Sequence, residues 1–151
     1  MTASQVQKET MFIPTSHIWY VNSTFSVAAV AITDTGATDI VITKLEVKGL
    51  TCQWSGNESY VVFARLNGTL PGSLPFISNF AGNATVTIAG AQYVFSQANS
   101  GLTMKAGETI VFYIAVPNRM MIYDLATPVH ILLTTTQSIY CTDTLVETGE
   151  A

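Results

Sequence analysis

Charge is the scarcest property of this sequence. The chain has 151 residues, with six Lys and Arg, ten Asp and Glu and two His, so charged residues make up 11% and hydrophobic residues 48%. Soluble domains usually carry roughly 25% charged residues. A net charge of −4 without clustered cations argues against binding a nucleic-acid backbone. We expect no nucleic-acid partner, and we expect neighbouring subunits to cover part of so apolar a surface.

Long apolar runs and catalytic motifs are also missing. No apolar run reaches the roughly 18 residues of a membrane-spanning helix, so we do not expect these 151 residues to span a membrane. Residues 1–14 lack the pattern of a signal peptide, which indicates either an intracellular protein or a segment whose targeting end has been removed. His17 and His130 are the only histidines, and neither suggests a hydrolytic triad or a coherent set of metal ligands. We expect no enzyme activity, no metal and no cofactor.

The longest regular pattern runs from Gly107 to Thr136 and is typical of β-strands. Residues 110–116 place β-branched and aromatic side chains on both faces, and residues 129–133 resume the two-residue period after a break. Neither run has the three- and four-residue spacing of an amphipathic helix. Strands that are apolar on both faces, or nearly so, belong in the middle of a sandwich.

Other segments predict further strands at short spacing. A strand over residues 18–33 with a β-bulge between Ala29 and Val30, a hairpin over residues 33–43 and a small hairpin across residues 89–90 are expected, with one helical turn within residues 118–127. Seven to nine strands with regularly spaced turns predict an all-β, immunoglobulin-like β-sandwich. We place this domain at residues 17–151, after an extended or helical N-terminal arm at residues 1–16.

Two cysteines and four glycosylation sequons are the candidate modification sites. Cys52 and Cys141 are predicted to form a disulfide worth roughly 4–5 kcal/mol in the chain-entropy model; the alternative is a pair of buried free thiols. Four Asn-X-Ser/Thr sequons exceed the one or two that chance would give, and they predict glycans on an extracellular protein. The alternative is ordinary turn asparagines. The four sequon residues are Asn22, Asn57, Asn67 and Asn83.

Aromatic residues offer a further alternative, a platform that binds sugars. Core packing explains aromatic residues in a sandwich equally well. The residues concerned are Trp19, Tyr20, Trp54, Tyr60 and Phe63.

Residues 28–49 and 102–117 resemble archaeal type IV pilin-like proteins. The first segment has a strand, an Asp-Thr-Gly turn, a second strand and a terminal glycine, and the second has Ala-Gly-Glu followed by a long strand. That group includes adhesion pilins, archaellum filament proteins and archaellum stator components. The resemblance implies an extracellular, often N-glycosylated, immunoglobulin-like domain that works by assembly. Pilins and archaellins polymerise through a long apolar N-terminal helix after a processed leader, and this sequence contains neither.

The N-terminal arm suits a second mode of assembly. An extended segment around Val6, Met11, Phe12 and Ile13 is predicted to complete the sheet of a neighbouring subunit. This scheme resembles the assembly of archaeal thread-like filaments. We therefore expect a structural or adhesive subunit of a cell-surface filament that forms homopolymers. The alternative is a stator-like module that binds surface-layer protein, or a carbohydrate-binding module with glycan partners.

Overall fold

The structure is a computed structural model that describes residues 10–22, 25–51, 61–77, 83–98, 101–117 and 121–149. These residues form eleven β-strands and one 3-10 helix, which confirms the all-β class with more strands than expected. No helix among them has the length and apolar character needed to cross a membrane. The strands are β1 Met11–Asn22, β2 Phe25–Asp34, β3 Ile40–Val47, β4 Leu50–Thr51, β5 Val61–Asn67, β6 Asn83–Ile88, β7 Ala91–Gln97, β8 Leu102–Met104, β9 Glu108–Pro117, β10 Pro128–Thr135 and β11 Ile139–Thr148; the 3-10 helix is Ile122–Asp124.

The strands are arranged in two sheets that share β11. Sheet A has the order β6-β7-β5-β9-β2-β1, and sheet B has the order β4-β3-β10-β11, with β8 paired to β3. Residues 139–145 of β11 pair antiparallel with β10, whereas residues 146–148 pair parallel with β1. Strand β11 therefore leaves one sheet and enters the other within its own length.

The first core lies between the two sheets. It combines the inward side chains of β2 and β9 in sheet A with those of β3 and β10 in sheet B. Because strand side chains alternate between faces, β2, β9 and β10 each contribute every second residue. Strand β3 changes phase between Ile42 and Leu45, where its pairing with β10 shifts register. Its members include Ala28, Val30, Ile32, Ile110, Phe112, Ile114, Ile42, Leu45, Ile131 and Leu133.

A second core covers the opposite face of sheet A. The β6–β7 hairpin, which joins β5 through only two residue pairs, and residues 70–77 both contribute side chains to this core. The alternate residues of β2 and β9 are therefore buried as well. Strand β9 is therefore apolar on both faces, as the sequence predicts, whereas β10 is buried on one face only and exposes His130. Members of the second core include Trp19, Val27, Ala29, Ala31, Val111, Tyr113, Ala115, Leu74, Val86 and Phe95.

Two local predictions are wrong. Residues 18–33 are not one strand but parts of β1 and β2, which pair antiparallel. The apparent change of phase between Ala29 and Val30 is not a bulge, because the pairing of β2 with β9 is continuous there and the two residues face different cores. The expected hairpin over residues 33–43 is wrong because β2 lies in sheet A and β3 in sheet B.

Two other local predictions are confirmed. Strands β6 and β7 form the small hairpin, with Ala89 and Gly90 at φ 52° and 82°. Two successive residues with positive φ give the tight turn whose twist matches the flanking strands. The expected helical turn is the 3-10 helix Ile122–Asp124.

Candidate functional site

The most unusual feature of the sandwich is a fork between β1 and β11. The two strands pair only where Ile18–Tyr20 meets Val146–Thr148. Before that point residues 11–17 have only β2 as a partner, and residues 139–145 have only β10, among the strands that the structure describes. Among the described strands, each segment therefore has a ladder partner on one side only, and a strand of this kind is the usual template for strand addition.

A groove of about 470 Å³ lies at the base of the fork. Ser16 and His17 of β1, Ala126 and residues 143–147 of β11 line it. Two side-chain contacts join the strands here: Ser16 Oγ and Thr144 Oγ1 are 2.5 Å apart, and His17 Nδ1 lies 3.2 Å from Glu147 Oε2. These contacts fix the point at which the strands separate.

The turn after the 3-10 helix closes the far end of the groove. The Ala126 N–H donates a hydrogen bond to the Val146 carbonyl at 2.8 Å, and the Val146 N–H donates to the Thr127 carbonyl at 3.1 Å. Asp124 holds this turn by accepting hydrogen bonds from Lys48 Nζ at 2.7 Å and from the Met121 N–H at 2.8 Å. Partial burial opposes ionisation of Asp124, but these hydrogen bonds and the charge of Lys48 outweigh it and lower the pKa of the carboxyl group.

Exposed apolar side chains concentrate around the fork. Phe12 is 56% exposed, and on β11 Ile139 and Leu145 are 63% and 60% exposed. The adjoining residues 121–123 carry three more exposed large hydrophobics, and Val94 on β7 is the other one among the described residues. By contrast, the outer strand β6 exposes Thr85 and Thr87. The fork strands thus expose more large apolar side chains than β6 does, beside the exposed carboxylates of Asp143 and Glu147.

The described part of the predicted N-terminal arm is the beginning of β1. Met11 and Ile13 are partly buried against the first core, Phe12 is exposed, and Val6 lies outside the described residues. The predicted boundary after residue 16 therefore falls inside a strand. The pairing of β1 with β2 shifts register between residues 12 and 15. Pro14, which has no N–H to donate, stands at this irregularity.

The predicted glycosylation sites occupy different places. Asn22 ends β1 and Asn67 ends β5, and both are exposed, as a glycan acceptor requires. Asn83 begins β6, and Asn57 lies outside the described residues. Neither Asn22 nor Asn67 lines the groove. Glycosylation at the four sequons stays a prediction.

The predicted disulfide is only half described. Cys141 is an exposed free thiol on β11, and Cys52 lies outside the described residues, so the bridge stays a prediction. The register of sheet B aligns Thr51 with Glu46, Glu46 with Leu132, and Leu132 with Cys141. Three inter-strand spacings of roughly 4.8 Å put Thr51 about 14 Å from Cys141.

Trp19, one of the candidates for a sugar-binding platform, belongs to the second core. It is 6% exposed and stacks between His17 and Tyr113, with ring centroids 5.0 and 6.4 Å away. A buried indole offers no face to a sugar ring. Trp54 and Tyr60 lie outside the described residues.

One cluster escaped the sequence analysis. His130, Cys141 and Asp143 are exposed on the outer face of sheet B, and their potential ligand atoms all lie within 4.8 Å of one another. His130 Nδ1 contacts Asp143 Oδ1 directly, and Cys141 Sγ is 3.8 Å from the same nitrogen. The sequence signal for this cluster was the Cys-Thr-Asp alternation of β11, which puts Cys141 and Asp143 on one face. Only the pairing register of β10 and β11 shows that His130 lies opposite Asp143.

Comparisons with known proteins add little. No protein-family model matches the chain, and no curated protein matches it. The chain is similar in structure to a GH20 exo-β-N-acetylglucosaminidase from Vibrio harveyi, with 6% identity and a TM-score of 0.30 over 93% of this chain and 19% of that chain. It is also similar to a family 123 glycoside hydrolase from Clostridium perfringens, with 12% identity and a TM-score of 0.36 over 94% of this chain and 28% of that one. The chain thus spans less than a third of either enzyme, and so low a similarity carries no functional argument.

Proposed function

We propose that this protein is a structural, adhesive subunit of an extracellular cell-surface filament and that it assembles by strand addition at the fork. The observation that supports this most directly is the pair of strand segments, residues 11–17 and 139–145, that have an open edge among the described strands. An extended segment of a second copy that lies along either edge gains main-chain hydrogen bonds.

The acceptor in this proposal is the open edge of β11, and the donor is the N-terminal arm of the next copy. Ile139 and Leu145 are the end residues of the acceptor segment and are mostly exposed, as is Phe12 on the arm. Covering such a side chain contributes about 1–2 kcal/mol, within the usual value for apolar burial. A few such contacts added to the backbone hydrogen bonds stabilise a subunit interface.

Composition and sequons are compatible with this setting. Charged residues make up only 11% of the chain, a fraction that suits a subunit whose surface is partly covered by neighbours. Asn22 and Asn67 are exposed outside the groove, so glycans there would leave the fork accessible. The resemblance to archaeal pilin-like proteins supports the same cell-surface location.

The fork hypothesis is tested by blocking the acceptor edge. Leu145→Lys places a charge beside the open edge of β11, and Val94→Lys is the matched control because Val94 is equally apolar and 70% exposed on β7. We expect the wild-type chain and the control to form fibres in negative-stain images at high concentration, and Leu145→Lys to stay monomeric.

The donor is tested separately with a synthetic peptide of residues 1–16. Added in excess, it should compete for the acceptor edge and shorten the fibres, whereas a peptide of the same composition in scrambled order should not. Fibres that form equally well with Leu145→Lys would refute assembly at the fork. A monodisperse wild-type chain that binds surface-layer protein would replace the filament with the stator-like alternative.

A further inference from the structure

We propose that the outer face of β10 and β11 holds a zinc site whose ligands are His130 Nδ1, Cys141 Sγ and the Asp143 carboxylate. Water completes the coordination. This inference rests on the side chains of sheet B alone and is independent of how the subunit assembles.

Strand pairing fixes the three ligands on one surface. Cys141 and Asp143 are two residues apart on β11 and therefore point to the same face. His130 on β10 is directly opposite Asp143 in the antiparallel register. Ile131 and Thr144, the residues that follow His130 and Asp143, are buried on the other face, so the backbone beneath the cluster is held by the core.

The distances approach those of a tetrahedral zinc centre. Metal–ligand bonds of about 2.0–2.3 Å at tetrahedral angles put ligand atoms roughly 3.3–3.6 Å apart. Cys141 Sγ is 3.8 Å from His130 Nδ1 and 4.0 Å from Asp143 Oδ1. The His130–Asp143 contact is a hydrogen bond and is shorter, so the carboxylate must move back by about 1 Å, which a side-chain rotation at the surface provides.

The ligand types select the metal. A thiolate, an imidazole and a carboxylate together suit zinc, whereas calcium and magnesium take oxygen ligands. On binding, the Cys141 thiol releases its proton to solvent, and His130 binds as the neutral tautomer that carries its proton on Nε2, so that both ligand atoms present lone pairs to the cation. All three side chains are exposed, which gives the ion direct access.

A free thiol at Cys141 is required, and a bridge to Cys52 would remove it. Thr51, the residue before Cys52, is about 14 Å from Cys141 across three strand spacings. One residue adds about 3.8 Å of reach, and a disulfide tolerates a Cα separation of up to roughly 7 Å. The register therefore favours the thiol over an intrachain bridge.

The site is tested on the full chain without an affinity tag, by calorimetric titration with Zn²⁺ and by absorption spectroscopy with Co²⁺. We expect one Zn²⁺ per chain, and Co²⁺ should give thiolate charge-transfer bands together with the visible bands of a tetrahedral centre. His130→Gln, Cys141→Ser and Asp143→Asn should each weaken binding at least tenfold. His17→Gln is the matched control, since His17 also contacts a carboxylate, that of Glu147, and it should change affinity less than twofold.

Several results would overturn the proposal. The first is a failure to bind Zn²⁺ stoichiometrically, and the second is Co²⁺ binding without a thiolate band. The third is that His17→Gln weakens Zn²⁺ binding as much as the ligand variants do. The fourth is a thiol titration of the native chain that finds Cys141 oxidised. Circular dichroism of each variant separates loss of a ligand from loss of the fold. Because all three ligands are exposed, we expect the spectra to match the wild type.

Discussion

The second core makes a quantitative prediction at Phe95. This side chain lies on β7, is fully buried and meets the ring of Tyr113 edge-on at 5.3 Å. Tyr113 belongs to the central strand β9 and donates a hydrogen bond from its hydroxyl to the Pro75 carbonyl at 2.6 Å. Phe95 therefore joins the β6–β7 hairpin to sheet A, and residues 70–77 are held at the same place.

The change Phe95→Ala removes most of this contact. Truncation of a buried Phe usually costs about 3–5 kcal/mol, which includes the cavity left behind. The edge-on ring pair contributes roughly 0.5–1.5 kcal/mol of its own and places the expected loss in the upper part of that range. Domains are stable by about 5–15 kcal/mol, so we expect a folded but strongly destabilised variant. The melting temperature should fall by roughly 10 °C or more.

The measurement is urea unfolding followed by circular dichroism, with Val94→Ala as the control. Val94 is the preceding residue on β7 and is 70% exposed, so its truncation should cost less than about 0.5 kcal/mol. If Phe95→Ala costs less than about 1 kcal/mol, the hairpin does not form a core with β9 and the second core is wrong.

Two further changes probe the 3-10 helix and a close backbone contact beside β8. Asp124→Asn should lower stability at pH 7, and the difference from the wild type should shrink as the pH falls through the lowered folded pKa of Asp124, because the paired carboxylate stabilises the fold only while it is ionised. Urea unfolding at pH 7 and pH 3 measures this, and an unchanged difference would contradict it. Gly101→Ala should cost about 1–3 kcal/mol in the same assay, because a Cβ there would lie 2.5 Å from the Ile42 carbonyl oxygen. Gly68→Ala is the control, because a Cβ at Gly68 meets nothing within 4 Å and the change should cost only the roughly 1 kcal/mol of a positive φ. Equal losses of stability for Gly101→Ala and Gly68→Ala would count against the close contact at Gly101.

Local patterns predicted individual strands well and their partners poorly. The run from residue 110 to residue 116 indicated a doubly buried strand because every position was apolar, and β9 is that strand. The same property in residues 25–34 was interpreted as a bulge, since an unbroken apolar run conceals which residue faces which layer. Nothing local indicates that β2 and β3 belong to different sheets, because that depends on contacts with β9 and β10.

The candidate sites divide in the same way. Sequons and cysteines can be identified directly in the sequence. Whether a sequon asparagine is exposed depends on the fold, which places Asn22 and Asn67 at strand ends. The fork exists because β11 pairs first with β10 in sheet B and then with β1 in sheet A. The proposed zinc ligands meet because His130 and Asp143 are opposite each other in the pairing of β10 with β11. The sequence by itself determined the β class, the doubly apolar strand β9 and the apolar surplus, since these follow from side-chain type and period. Only the tertiary structure decided the pairing, the open edges and the clustered ligands, because long-range register is set by how whole faces are buried together.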